Sequence, residues 1–119
     1  MEMATTSANV GSSALSAFVF HRAGQPDPVD LLGAMFIIEG LGVRNAAGWA
    51  DRLTESLGLR DDQLSFLRYH AEGDSEHFGL LTAALRSGLL DDAAMTRIVK
   101  TARVTARLYA LQLEELDHV

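Results

Sequence analysis

The chain has 119 residues, enough for a single domain with one core, and a net charge of −6 with no cluster of basic residues. This charge argues against nucleic acid and anionic membrane surfaces as partners. Because there is no cysteine, disulfides, thiolate zinc sites and cysteine nucleophiles are excluded, and any metal must be held by nitrogen and oxygen. The first residues lack the basic region of a signal peptide, so we expect a cytoplasmic protein.

The composition and the spacing of apolar residues predict an all-α domain. Residues 1–12 are small and polar and are expected to be disordered, which leaves residues 13–119 as the helical, metal-binding domain. Asp27 is a predicted helix cap, with Pro28 in the first turn and Asp30 three residues after the cap. Gly58 and Gly88 are predicted helix ends. One short and three long helices are expected, at Ser13–Arg22, Pro28–Leu57, Asp61 or Asp62 to about Arg86, and Asp91 or Asp92 to about Glu115.

Three ionisable side chains fall on the apolar face of the third predicted helix. At about 100° per residue, His70, Asp74 and His77 share a face whose other members are apolar. Spacings of four and three residues place them along one stripe, near enough to share a ligand. The pattern predicts a metal-binding helix face, and the alternative is a hydrogen-bonded network without metal.

Glu39 is the fourth ionisable group in a predicted core position, on the second helix. Gly40 and Gly42 beside it would let another helix or a ligand approach closely. An unpaired buried carboxylate is unfavourable, so something must compensate its charge. Two imidazoles with two carboxylates suit Fe, Mn or Zn, and two histidines with one carboxylate are the ligands of non-haem iron oxygenases. Tyr69 and Tyr109 are candidates for contacting a substrate or supporting the metal ligands, and packing is their alternative role.

These motifs resemble those of the haem-oxygenase-like non-haem iron oxidases, the iron-containing redox enzymes with a haem-oxygenase-type helical bundle. The resemblance lies in Phe36-Ile37-Ile38-Glu39-Gly40-Leu41-Gly42, Tyr69-His70, Asp74 and His77, and it covers about residues 14 to 115. It implies a partial bundle of this type, with Glu39, His70, Asp74 and His77 as ligands of one or two iron ions. It also implies activation of O₂ and oxidation of a small amine or acid substrate. Ligand type alone leaves Mn and Zn open, and the resemblance favours iron.

The chain departs from the family pattern upstream of Glu39. Family members carry a further Glu and His on an early helix, where they complete a second iron site. Here Glu2 is the only Glu and His21 the only His before Glu39. The chain therefore resembles the C-terminal half of the fold. A partner chain could supply the missing helices, a homodimer could pool two half-sites, or the chain could be a truncated or regulatory piece without activity.

Three functions are compatible with these features. The first is an O₂-activating non-haem iron oxidase or oxygenase acting on a small molecule, or the metal-bearing subunit of one. The second is a metal-binding or storage protein that completes its site by oligomerisation, as helical bundles with pooled carboxylate and histidine ligands do. The third is a helical interaction protein with a satisfied polar core and no metal.

Overall fold

The computed structural model describes residues 7–117, and all regular structure in that range is helical. A 3₁₀ turn at Pro28–Asp30 precedes the second helix, and another at Asp61–Gln63 precedes the third. The predicted all-α class, with one short and three long helices, is confirmed. The α-helices of the described range are α1 (Val10–Ala23), α2 (Leu31–Leu57), α3 (Ser65–Leu85) and α4 (Asp92–Glu114).

Helix α1 begins at Val10 and not at Ser13, because Asn9 provides a cap that composition did not reveal. The Asn9 side-chain oxygen accepts a hydrogen bond from the Ser12 amide at 2.8 Å. Its amide nitrogen donates to two carbonyls at the end of α4, at 3.0 and 3.1 Å. One buried side chain thus serves the start of α1 and the end of α4. Residues 1–6 of the predicted disordered segment, which include Glu2, lie outside the described residues.

Contacts divide the chain into two compact units. The terminal unit comprises Met1–Ala34 and Asp91–Val119, and the central unit comprises Met35–Leu90. Helix α2 passes from the first unit into the second after Ala34. The sequence predicts one helical domain at residues 13–119 and gives no sign of this division.

In the terminal unit, helices approach closely where glycine leaves space. A Cβ atom at Gly11 of α1 would lie 2.7 Å from the carbonyl carbon of Leu111 in α4. A Cβ atom at Gly33 of α2 would lie 2.9 Å from the amide nitrogen of Ala102, which is also in α4. Both distances are well inside van der Waals contact, so these backbones pack directly against α4. The core between them is formed by small and medium side chains, among them Ala34, Ile98 and Thr105.

In the central unit, α2 and α3 run antiparallel. The rings of Phe36 and Phe78 pack with centroids 5.0 Å apart at one end of the pair. At the other end the Arg68 guanidinium lies 2.7 Å from the Asp51 carboxylate. Gly58 follows the last residue of α2 with a φ of 65°, so the helix ends where the sequence predicts, because glycine tolerates this left-handed backbone.

Residues 28–57 are long and apolar enough, by length and composition alone, to cross a membrane. The core helix of a soluble protein passes the same test, so the observation does not decide the location. Within the most apolar window of this segment 17% is buried, so most of the window is at least partly exposed.

Candidate metal centre

The buried carboxylate of Asp74 lies directly against Gly42. A Cβ atom at Gly42 would lie 2.9 Å from Asp74 Cγ and closer still to Oδ2. The predicted close approach at this glycine is therefore made by an acidic side chain of α3. Because α2 has no side chain here, Asp74 can reach between the two helices.

Glu39 and His77 lie one turn from this point, on the same side of it. Glu39 precedes Gly42 by three residues on α2, and His77 follows Asp74 by three residues on α3. Because the two helices are antiparallel, both steps lead in the same direction. Ligand atoms of Glu39, Asp74 and His77 all lie within 4.8 Å of one another. The distance between Glu39 Oε2 and His77 Nδ1 is 3.8 Å, which is too long for a hydrogen bond.

The charges of this cluster are poorly compensated without a cation. Glu39 Oε2 is buried and has no hydrogen-bond partner among the described residues. Burial raises the pKa of Glu39, and both a hydrogen bond with Asp74 and repulsion by its carboxylate raise it further, while the imidazoles of His77 and His70 partly oppose this rise. A cation held between two carboxylates and an imidazole would relieve the repulsion and occupy the unpartnered oxygen. The residues present therefore fit a metal ion.

His70 lies beside this cluster and contacts it through Asp74. The His70 Nδ1–H donates to Asp74 Oδ1 at 2.8 Å, since the carboxylate can only accept. The His70 ring also packs against Phe66, with centroids 4.5 Å apart. In the neutral imidazole this hydrogen bond leaves Nε2 with its lone pair. Direct ligation of a metal by His70 stays a prediction. The contact that the structure shows is a hydrogen bond that holds the carboxylate of Asp74.

The prediction that all four ionisable groups are core residues was wrong for the two histidines. The Glu39 and Asp74 side chains are 12% and 5% exposed, but those of His77 and His70 are 56% and 35% exposed. Two packed helices bury only the line along which they meet, and the histidines flank that line in the central unit. His70, Asp74 and His77 lie along one face of α3, as predicted. Within the described part of this unit only Asp74, in the middle of the stripe, is buried.

The two candidate tyrosines have different surroundings. Tyr69 is exposed, and its ring meets His70 edge-on with centroids 5.5 Å apart. Tyr109 lies on α4 in the terminal unit, where burial raises the pKa of its hydroxyl. Contact with a substrate stays a prediction for both.

Residues 2–110 match the model of a protein family described as iron-containing redox enzymes. The chain belongs to this family. The family has a haem-oxygenase-like helical fold, so the predicted family and fold class are confirmed. No curated protein and no solved structure matches the chain. Membership supports a general redox function for the chain. It also suggests iron as the metal for the cluster of Glu39, Asp74 and His77.

The sequence gives no sign of the buried charge of Asp30. Its position predicts only a residue of the helix start, but Asp30 is buried and lies 2.6 Å from the guanidinium of Arg22. The cap itself is as predicted, since Asp27 accepts from the Val29 amide. The ion pair joins α1 to the turn before α2, and no helical periodicity signals a pair of residues in different elements.

Proposed function

We propose that the chain is an O₂-activating non-haem iron oxidase that acts on a small molecule, or the metal-bearing subunit of one. The observation that carries the proposal is the cluster of Glu39, Asp74 and His77, in which a buried carboxylate oxygen has no hydrogen-bond partner in residues 7–117. Because the chain belongs to the iron-containing redox family, bound iron would explain why two carboxylates lie together in an otherwise unfavourable arrangement.

In this proposal Glu39, Asp74 and His77 hold the iron. When bound, iron supplies the one-electron redox chemistry that O₂ reduction requires. Two carboxylates and one imidazole leave coordination positions open for small ligands. His70 orients Asp74 through its hydrogen bond, as a residue behind a metal ligand commonly does. Gly42 keeps the space that the Asp74 carboxylate occupies.

The exposure of His77 supports access for a small substrate. Because more than half of its side chain is exposed, the cluster is open on the His77 side of the central unit. A substrate entering there would meet the cluster without displacing a covering element of that unit. Tyr69 is a candidate to contact it, since its ring abuts His70 and its side chain is exposed.

The direct test is anaerobic titration of the purified chain with Fe(II), followed by exposure to O₂. We expect saturable binding of iron and consumption of O₂ that depends on the bound iron. His77→Ala should abolish binding, because it removes the only imidazole of the cluster. Glu76→Ala changes an exposed neighbour outside the cluster and should bind iron normally. Normal iron-dependent O₂ consumption by His77→Ala would refute the proposed site.

The exposed apolar surface supports a second candidate, a metal-binding or storage protein that completes its site by oligomerisation. Large apolar side chains of α2 and α3 are exposed in the central unit, among them Met35, Phe36, Val43 and Leu80. Exposed apolar side chains that form one patch mark interaction sites. A homodimer, or a partner chain that supplies further helices, would cover it. Measuring mass and iron content together separates the two functions: iron that binds only in the oligomer, without oxidation of any substrate, favours storage.

A further inference from the structure

Helix α3 exposes a row of residues that we call the outer seam. Successive members are separated by four and three residues in alternation, so they lie along one side of the helix. Four of the six members are exposed, and the other two are partly exposed. The outer seam overlaps the metal-binding stripe at the two histidines. Its members are Phe66, His70, Gly73, His77, Leu80 and Ala84.

The large apolar members of the outer seam are unfavourably placed in water. Phe66 is 72% exposed and Leu80 is 66% exposed. The Phe66 ring packs against the His70 ring, with centroids 4.5 Å apart, and so lies along the seam. Tyr69, which borders the seam, is also exposed. A row of exposed aromatic and aliphatic side chains is typical of the core of a protein–protein interface.

The spacing of the outer seam favours a helix as its occupant. An alternation of four and three is the repeat by which the side chains of one helix pack against another in bundles and coiled coils. Within residues 35–90 the only α-helices are α2 and α3, and they meet each other along the line through Gly42 and Asp74. The central unit therefore has a helix-binding face and no third helix of its own to fill it.

A second copy of the chain fits this face. Two central units placed face to face combine four helices, the number of a common bundle. The chain carries a net charge of −6, but no member of the outer seam is Asp, Glu, Lys or Arg. Two seams can therefore meet without repulsion between acidic or basic side chains.

The area of the face is sufficient for a stable dimer. From Phe66 to Ala84 the seam is about 27 Å long at 1.5 Å per residue, and a pair of helices is about 20 Å wide. Two such faces bury about 1,100 Å² together, which is near the lower limit for a specific interface. A homodimer through this face is thus expected to be reversible and to depend on protein concentration.

We propose that the outer seam is the interface of a symmetric homodimer, in which the central units of two copies pack face to face. One consequence rests on the proposed function: since His77 belongs to the seam, the metal centre of each copy lies beside the interface. The substrate then enters between the two copies. Gly73 lies between His70 and His77 on the seam, and a Cβ atom there would meet nothing of this chain within 4 Å. The space beside Gly73 is the proposed entry.

The first test measures the mass of the iron-free full chain by sedimentation equilibrium over a range of concentrations. An interface of this size is expected to give a dimer with a Kd on the order of 1–10 μM. Leu80→Glu should raise this Kd more than about 100-fold, because a symmetric interface loses each contact twice and gains two carboxylates. Leu80 is exposed in a single copy, so the substitution leaves its folding intact.

Ser75→Glu is the matched control. Ser75 is exposed on the side of α3 opposite the outer seam, so the variant adds the same charge outside the interface. It should dimerise as the unaltered chain does. A chain that stays monomeric at every concentration would overturn the proposal. Equal weakening of the dimer in the two variants would overturn it as well, since it would show only a general effect of charge.

The second test identifies what covers the outer seam. The chain has no cysteine, so Ala84→Cys places a single thiol on the seam, and Ser75→Cys places one on the opposite side. The thiol of Ala84→Cys should react more slowly with a thiol reagent as the dimer forms, and that of Ser75→Cys should react at one rate throughout. Slow reaction of Ala84→Cys in a monomer would show that another part of the same chain covers the seam, and would overturn the proposal. Because both tests use iron-free protein, their failure would leave the proposed iron oxidase untouched.

Discussion

Gly42→Ala should damage the metal centre through a single methyl group. The new Cβ would lie 2.9 Å from Asp74 Cγ, where carbon atoms normally approach to about 3.5–4.0 Å. Asp74 is buried and held by His70, so its carboxylate can escape only by leaving the position in which it meets Glu39 and His77. The substitution therefore acts on the metal site without altering any ligand.

The size of the effect follows from two opposing contributions. Overpacking a closely packed site costs about 1–3 kcal/mol. Replacing glycine by alanine inside a helix stabilises it by about 1 kcal/mol. Gly48→Ala in the same helix isolates the second contribution, because a Cβ there meets nothing within 4 Å. We expect Gly42→Ala to be about 1–3 kcal/mol less stable than Gly48→Ala, and to bind metal about 10–100-fold more weakly than the unaltered chain.

The assay is urea unfolding of the metal-free variants, combined with anaerobic Fe(II) titration of each. Gly48→Ala should bind iron as the unaltered chain does and be slightly more stable than it. Normal iron binding by Gly42→Ala, together with a stability equal to that of Gly48→Ala, would refute this prediction, because Asp74 would then have room that the structure does not show.

Three further changes test other parts of the structure. His70→Ala should weaken iron binding about 10–100-fold without abolishing it, since it removes the hydrogen bond that orients Asp74. Burial raises the pKa of folded Glu39 above its ordinary value of 4.5, so this group's contribution to stability is present below pH 4.5 and is lost as pH rises through the folded value. The metal-free Glu39→Gln variant should therefore lose less stability over this pH range than the unaltered chain. Asn9→Ala should destabilise the chain by about 2–3 kcal/mol, because it removes a helix cap and two part-buried hydrogen bonds.

Each of these changes has a control or a contrary outcome. Glu72→Ala removes an exposed acidic residue of α3 outside the cluster and should leave iron binding unchanged. Identical pH profiles of melting temperature for Glu39→Gln and the unaltered chain would show that Glu39 does not titrate as its burial requires. A loss below about 0.5 kcal/mol for Asn9→Ala would mean that water replaces its contacts with α4.

The helices and the metal-binding stripe could be predicted because they depend on neighbours in sequence. Apolar spacing, the predicted start at Asp91 or Asp92 and glycine at positions 58 and 88 act within one or two turns. The structure places α4 and both helix ends where these signals indicate, with Asp91 as the cap. The same local geometry placed Asp74 and His77 on one face of α3. The prediction of the family depended on the same residues, together with Glu39, and the family match confirmed it.

The remaining features depend on which segments meet, and no local pattern encodes that. The sequence predicts Asn9 as part of a polar, unstructured segment, but in the structure its side chain donates hydrogen bonds to the end of α4. It predicts Asp30 as part of a helix start, but in the structure Asp30 pairs with Arg22 and accepts a hydrogen bond from Thr101.

For the feature on which the function depends, the sequence by itself determined a stripe of ligand-type residues on α3 and a Glu beside two glycines on α2. Only the tertiary structure decided which of them meet. The antiparallel register of α2 and α3 brings Glu39, Asp74 and His77 together and leaves His70 behind Asp74. Periodicity determines the face on which a side chain lies, but the packing of two helices determines how much of that face is buried and which atoms come within ligand distance.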